Sequence, residues 1–298
     1  MADSKTTLEK EHQLLDQQRQ KALDLLSGYT KHKHVKLVHR GNAAILCALY
    51  MVKKANPRPF ILIPDQGGWL SFKTYPKMLG FDTRTVKTNR GLIDLIDLEK
   101  KAESGAALLV TSFAGYFAEQ PMSYISKICK RNNCLIIEDA SGAVGDDTLC
   151  DGTYADIIVG SFGKWKPINV EYGGFISTAN KEYLDDAKDI FSATNFYPKY
   201  DVLLDKLSRA KDTVKLMVKR AETVKQEIAK RFPELKIIHQ EMRGLNVVVR
   251  TASEDEKKHI EEYCDEKGFD YVECPQYIRL EEEAISIELK RIEGNGKA

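Results

Sequence analysis

From about residue 35 to residue 180, short apolar runs alternate with helical patterns. The runs are VKLVH (35–39), FILIP (60–64), DTRTV (82–86), ALLVTS (107–112), CLIIED (134–139), DIIVGSF (156–162) and GFIST (174–178). Most are continuously apolar rather than alternating, the mark of strands buried on both faces of a mainly parallel sheet. Between them, AAILCALYMVKK and MSYISKICKRNN carry apolar residues at helical spacing. Right-handed crossovers put such helices on both faces of the sheet.

The style differs at either end. Residues 5–27 read as a helix, with Leu8, Leu15, Ala22 and Leu26 recurring among Glu, Lys and Gln. Most of its surface is polar, so it is expected to pack as an arm on the body or on a second subunit. Residues 181–232 read as long, charged and helical, ending at Phe232-Pro233. The tail then gives strands in LKIIHQ and LNVVVR, a helix in EDEKKHIEEYCDEKG, and strands near 270 and over 284–291. The last residues, EGNGKA, read as frayed. The expected class is α/β: an arm (1–30), a large three-layer domain with a mainly parallel sheet (31–180), a helical linker (181–232) and a small C-terminal α+β domain (233–298).

Composition narrows the partners. The chain has 298 residues, 43% hydrophobic and 30% charged, with a net charge of +1. That gives ample core and no global case for nucleic acid or a membrane surface. A basic run, KHKHVKLVHR, reads as a solvated face. No apolar run approaches the ~20 residues of a membrane helix. The start, MADSKTTLEKEHQ, has no apolar signal region. The six cysteines form no CxxC pair and several lie in apolar runs, as expected of reduced thiols in a cytoplasmic protein. His32, His34 and His39 lack an accompanying cysteine or carboxylate cluster, so no metal site is expected there.

In open α/β sheets ligands bind beyond the carboxyl ends of the strands. After the first strand comes Arg40-Gly41-Asn42, opening a helix. Free amides there favour an anion such as a phosphate, although Gly41 could simply make a turn and Asn42 a cap. After the second, Trp69 could stack on a flat ligand or pack in the core. The fifth strand ends in Glu138-Asp139-Ala140-Ser141. A buried carboxylate needs a cation or a turn to cap, and Asp139 suits a protonated ring nitrogen. Glu138 should point to the opposite face. The sixth strand runs into SFGKWK, where a partly desolvated lysine becomes a nucleophile toward carbonyls. An anion nest, an aromatic, an acid and a lysine are together what a pyridoxal 5'-phosphate site needs.

Over residues 35 to 180 the chain resembles the DegT/StrS family of sugar aminotransferases, within the aspartate aminotransferase fold. The resemblance lies in IIEDASGAVG, SFGKWK, the glycine pair of EYGG, and GYFAEQPMSYISKICKRNN. It implies that Lys166, not Lys164, bonds the cofactor. It implies further that Asp139 pairs with the ring nitrogen, that Gly41, Asn42 and Ser161 hold the phosphate, and that Trp69 stacks on the ring. Lys164 is then a solvated or phosphate-facing neighbour, and Trp165 is expected to pack where it holds the turn. The chain also departs from the family. Three residues after the acid the family carries Gln or His beside the ring hydroxyl; here Gly142 stands there, with Ser141 nearby. Arg40 replaces a small residue, either adding a phosphate contact or shaping the site for an anionic substrate. Tyr172 replaces an acid. The family's cross-dimer Gly-Tyr-Asn segment is not recognisable, and Asn195-Phe196-Tyr197 is the candidate substitute.

The resemblance implies an aminotransferase that takes an amino donor and a keto acceptor such as a nucleotide-linked ketosugar, and works as a homodimer. The alternatives are another reaction on the same cofactor, a lyase or desulfurase, and a non-catalytic relative that binds a ligand or partner.

Overall fold

The computed structural model describes residues 2–292, with side chains from residue 10 onward. The expected frayed tail, EGNGKA, and the contribution of Leu8 lie outside the described residues.

A seven-stranded sheet organises the larger part of the chain. Its strands lie in the order His34–Val38, Gly174–Thr178, Ile157–Ser161, Leu135–Asp139, Gly105–Thr111, Phe60–Pro64 and Asp82–Val86. Only Gly174–Thr178 runs against its neighbours; the other pairings are parallel. Six strands therefore end at one edge, and the loops after them converge there.

Both faces are covered, as continuous apolar runs require. Leu62, Leu108, Val110, Ile136 and Ile158 point to one face, where Ala22, Leu26 and helices Leu95–Ala102 and Met122–Arg131 pack. Ile61, Ile63, Leu109, Ile137, Ile157 and Val159 point to the other, beneath helices Gly41–Ala55 and Ser71–Met78. These are the three layers the pattern predicts.

A second, antiparallel sheet has the order Lys236–Ile237, Val247–Arg250, Ala284–Ile287 and Tyr271–Cys274. Val247 and Val249 face helices Ala210–Arg231 and Glu254–Lys267. Val248, by strand alternation, faces Ala114, Phe117 and Ala118 in a turn at the carboxyl edge of the large sheet. This contact brings the second sheet against the site.

Some elements differ from the sequence expectation. The first helix runs Ala2–Thr30. Its last turns are buried at Ala22 and Leu26, and the Tyr29 hydroxyl donates to the Leu207 carbonyl at 2.7 Å. The segment after 180 is four helices, Lys181–Asp186, Lys188–Ser192, Tyr200–Ser208 and Ala210–Arg231, broken at 193–199 where Pro198 interrupts. The last strand stops at Ile287, because Glu288 turns inward and a single 3-10 turn, Leu289–Arg291, follows. His32 is buried, its ring between the Ser177 hydroxyl and the Ala155 carbonyl at 3.1 Å each.

Candidate functional site

The helix Gly41–Ala55 begins directly above the end of the sixth strand. Arg40, its N-cap, makes no side-chain capping bond, so the first amides of the helix stay open. A Cβ on Gly41 would sit 2.5 Å from Ser161 Cβ, so only glycine permits this approach. The Ser161 amide is bound by Ser141 Oγ at 2.9 Å, and its own hydroxyl accepts from the Gly163 amide at 3.2 Å. Trp69 Nε1 donates to Asn42 Oδ1 at 2.8 Å, which fixes the indole beside the helix start.

Asp139 is 9% exposed. Its Oδ1 accepts from the Ser141 amide at 3.0 Å and the Ser141 hydroxyl at 2.5 Å. Burial lifts the Asp139 carboxyl above its usual range, with the Ser141 bonds and the Lys166 charge pulling against it. Glu138 faces the other way, taking the Ser112 hydroxyl at 2.6 Å and the Cys150 amide at 3.0 Å. Burial pushes it up to about 7.

The two lysines of SFGKWK part company. Lys164 is exposed. Lys166 is half-buried, and its amine donates to the Tyr116 hydroxyl. Lys166 Nζ lies 4.3 Å from the centroid of the Tyr116 ring and 5.8 Å from that of Trp69. The expectation for Trp165 does not hold. Its backbone is left-handed (φ 63°), its side chain is 44% exposed, and its ring lies 4.6 Å from the Arg291 guanidinium at the cavity mouth.

These residues line one cavity of about 400 Å³. Gly41, Asn42, Trp69, Asp139, Ser141, Ser161, Lys164 and Lys166 all reach it. Arg40 is not among its lining residues; its side chain is exposed, and its backbone bridges to Gly173. Asn195 and Tyr197 sit outside this lining too.

Sequence reasoning missed the opposite wall, made by Tyr116, Arg279, Lys290 and Arg291. Glu288, fully buried beneath it, accepts from Arg279 Nε and Nη2 at 2.7 Å each, from Ser286 Oγ at 2.9 Å and from Asn246 Nδ2 at 3.0 Å. It also pairs with Lys290. Burial alone would raise the Glu288 carboxyl, but Arg279 and Lys290 hold it far below the usual range. Burial and the Arg279 charge push Lys290 down to about 7, against the pull of Glu288. One carboxylate thus balances several cations, and the wall keeps a surplus of positive charge. Tyr116 had a signal, a Gly-Tyr pair directly after a buried strand. The basic residues had none, because their place depends on the second sheet.

The geometry agrees with what the chain resembles. A family described as the MJ1341 family C-terminal domain matches residues 211–296. A UDP-4-amino-4,6-dideoxy-N-acetyl-beta-L-altrosamine transaminase of Campylobacter jejuni subsp. jejuni serotype O:2 is 37% identical over 106 residues, 34% of this chain and 28% of that protein. The match thus spans little more than a quarter of the curated relative. Among solved structures, the Helicobacter pylori PseC aminotransferase involved in the biosynthesis of pseudoaminic acid superimposes with a TM-score of 0.68. It is 17% identical, over 90% of this chain and 84% of that one. An apo cysteine desulfurase from Thermococcus onnurineus NA1 gives a TM-score of 0.70 at 11% identity, over 94% and 82%. The chain therefore shares the fold of these proteins, as it does that of a DegT DnrJ EryC1 StrS aminotransferase from Brucella abortus, 17% identical over 91% of this chain and 84% of that one with a TM-score of 0.64.

Proposed function

We propose that the protein is a pyridoxal 5'-phosphate-dependent aminotransferase. It moves an amino group from an amino acid to a keto acceptor, of which a nucleotide-linked ketosugar is the class suggested by its relatives. The observation that carries this reading is convergence on one cavity of the Lys166 amine, the buried Asp139 carboxylate and the open helix start at Gly41.

The residues fit the cofactor. A cavity of about 400 Å³ suits a small ligand. The glycine cradle at Gly41 gives a phosphate access to backbone amides. Ser141 gives both its bonds to Asp139 Oδ1, so Oδ2 is the oxygen available to a protonated ring nitrogen. When bound, the cofactor supplies an electron sink for the bond beside the substrate nitrogen. Lys166 Nζ is the group placed to bond the cofactor aldehyde and, once released, to carry a proton as base. Trp69 and Asn42, tied to each other, bound the flat side of the site. Arg279, Lys290 and Arg291 favour a substrate bearing carboxylate or phosphate.

Exposed Leu14 and Leu15 on the first helix support a homodimer. The buried, unpaired cysteines support a cytoplasmic setting. They also count against a desulfurase, which needs an accessible thiolate.

The test is a half-reaction. Protein loaded with the cofactor and mixed with amino acids should lose its yellow colour and release the matching keto acid. Added keto acceptor should restore the colour. Release of ammonia or sulfide without transfer would support the lyase or desulfurase alternative. Failure to take up the cofactor would overturn every enzyme reading.

A further inference from the structure

Tyr116 sits where no sequence pattern assigned a role. It occupies a tight turn between Phe113–Ala114 and Ala118–Glu119, with a left-handed backbone (φ 70°) that a non-glycine residue adopts only when its surroundings enforce it. The enforcement is visible. The Tyr116 carbonyl accepts from the amides of Leu245 (2.7 Å) and Asn246 (3.0 Å), and the Gly115 amide donates to the Gly67 carbonyl at 2.9 Å. Phe117, next in the chain, is buried against the second sheet. The turn is thus held from both sheets, and it aims one phenol into the cavity.

That phenol has specific neighbours. Its hydroxyl accepts a hydrogen bond from Lys166. Its ring has Lys166 Nζ, Lys290 Nζ and the Arg279 guanidinium at 4.3, 4.8 and 5.2 Å from its centroid. It also explains a glycine. A Cβ on Gly142 would meet Tyr116 Cδ1 and Cε1 at 3.1 Å, and Leu245 Cδ1 at 3.2 Å on its other side. The Tyr116 ring therefore fills the space into which a side chain at 142, three residues past Asp139, would project.

We infer that Tyr116 supplies, from this separate turn, the polar partner of the Lys166 nitrogen, and that Gly142 is glycine to admit the ring. Tyr116 is then a cofactor-site residue, and its hydroxyl stabilises a proton on the Lys166 nitrogen. The inference rests on the cofactor reading above.

The test is a spectral titration of the loaded protein. Tyr116→Phe keeps the ring, its packing and its three cations, and removes only the hydroxyl. Losing an acceptor from a protonated nitrogen should lower the pH midpoint of the visible transition by about one unit, a tenfold change in the protonation equilibrium. A packing role alone would leave that midpoint where it was. A paired variant checks the spatial claim. Gly142→Gln alone should clash with the ring and lower the melting temperature, whereas adding Gly142→Gln to Tyr116→Ala, where the ring is gone, should lower it by much less than in the wild-type background. A Tyr116→Phe midpoint equal to or above wild type, in a protein that binds cofactor, overturns the Tyr116 assignment alone. A wild-type protein that develops no colour overturns the cofactor reading and this one with it.

Discussion

Replacing Glu288 by Gln should be among the most damaging single changes in the chain. The carboxylate is fully buried and holds Arg279 through two 2.7 Å bonds, Lys290 through a direct ion pair, and Ser286 and Asn246 through neutral bonds. Arg279 and Lys290 are themselves only 4% exposed. The amide has nearly the same shape, so the loss is electrostatic: two buried cations lose their shared anion. Breaking a buried pair from one side costs about 3–5 kcal/mol. At roughly 2 °C per kcal/mol for a chain this long, the melting temperature should fall by about 6–10 °C. Differential scanning calorimetry of the cofactor-free protein reads this directly. The pH dependence carries a sign. Lys290 is depressed from 10.5 to about 7 in the folded state. Between those values the unfolded chain binds a proton that the folded chain does not, so this group makes wild-type stability rise with pH across that window and weighs against folding below it. In Glu288→Gln the rise should begin at lower pH, because the acid that pulls Lys290 upward is gone. Replacing Arg279, Glu288 and Lys290 all by Met should recover most of the lost stability, since an apolar core needs no counter-charge. A Glu288→Gln protein melting within about 2 °C of wild type, or a triple variant no better than the single one, would refute this account of the wall.

Other outcomes follow from the same geometry. Gly41→Ala puts a Cβ 2.5 Å from Ser161 Cβ and should weaken cofactor binding at least about tenfold in a fluorescence titration. Ser253→Ala, which removes a cap from Glu256 on a distant helix, should cost about 1 kcal/mol of stability and leave that affinity unchanged. Asp139→Asn should still bind cofactor but slow amino transfer by roughly a hundredfold, measured as single-turnover loss of colour, because a neutral amide does not hold a protonated ring nitrogen. The six cysteines are buried, and burial lifts Cys47 to about 11, so native protein at pH 8 should react slowly with a thiol reagent and unfolded protein should release all six. A fast-reacting class in the native protein would reopen the desulfurase reading.

The large sheet was legible because its strands are buried on both faces. FILIP and GFIST leave no other reading, and both boundaries agree with the observed strands. The near wall was legible for a related reason: Asp139 and Ser161 end their strands and Gly41 and Trp69 stand in the loops after theirs, where the carboxyl edge of a parallel sheet gathers its loops. The far wall was not. Arg279 lies in a stretch with no periodicity and Lys290 near the end of an expected strand, and what brings them to the cavity is the packing of Val248 and Leu280 on Ala114 and Phe117. Glu288 lies in the expected strand 284–291, and only its buried partners Arg279 and Lys290 reveal why it is buried. Trp165 was expected to pack where it holds the turn, whereas its left-handed backbone at φ 63° leaves it exposed over Arg291.

The central claim is that Lys166, and not its neighbour Lys164, is the amine that meets the cofactor. Reducing the yellow protein with borohydride, digesting it and sequencing the modified peptide by mass spectrometry tests this directly. The expected result is one adduct per chain, on Lys166, absent from Lys166→Ala and retained in Lys164→Ala. An adduct on Lys164, or no adduct in a protein saturated with cofactor, would contradict the account.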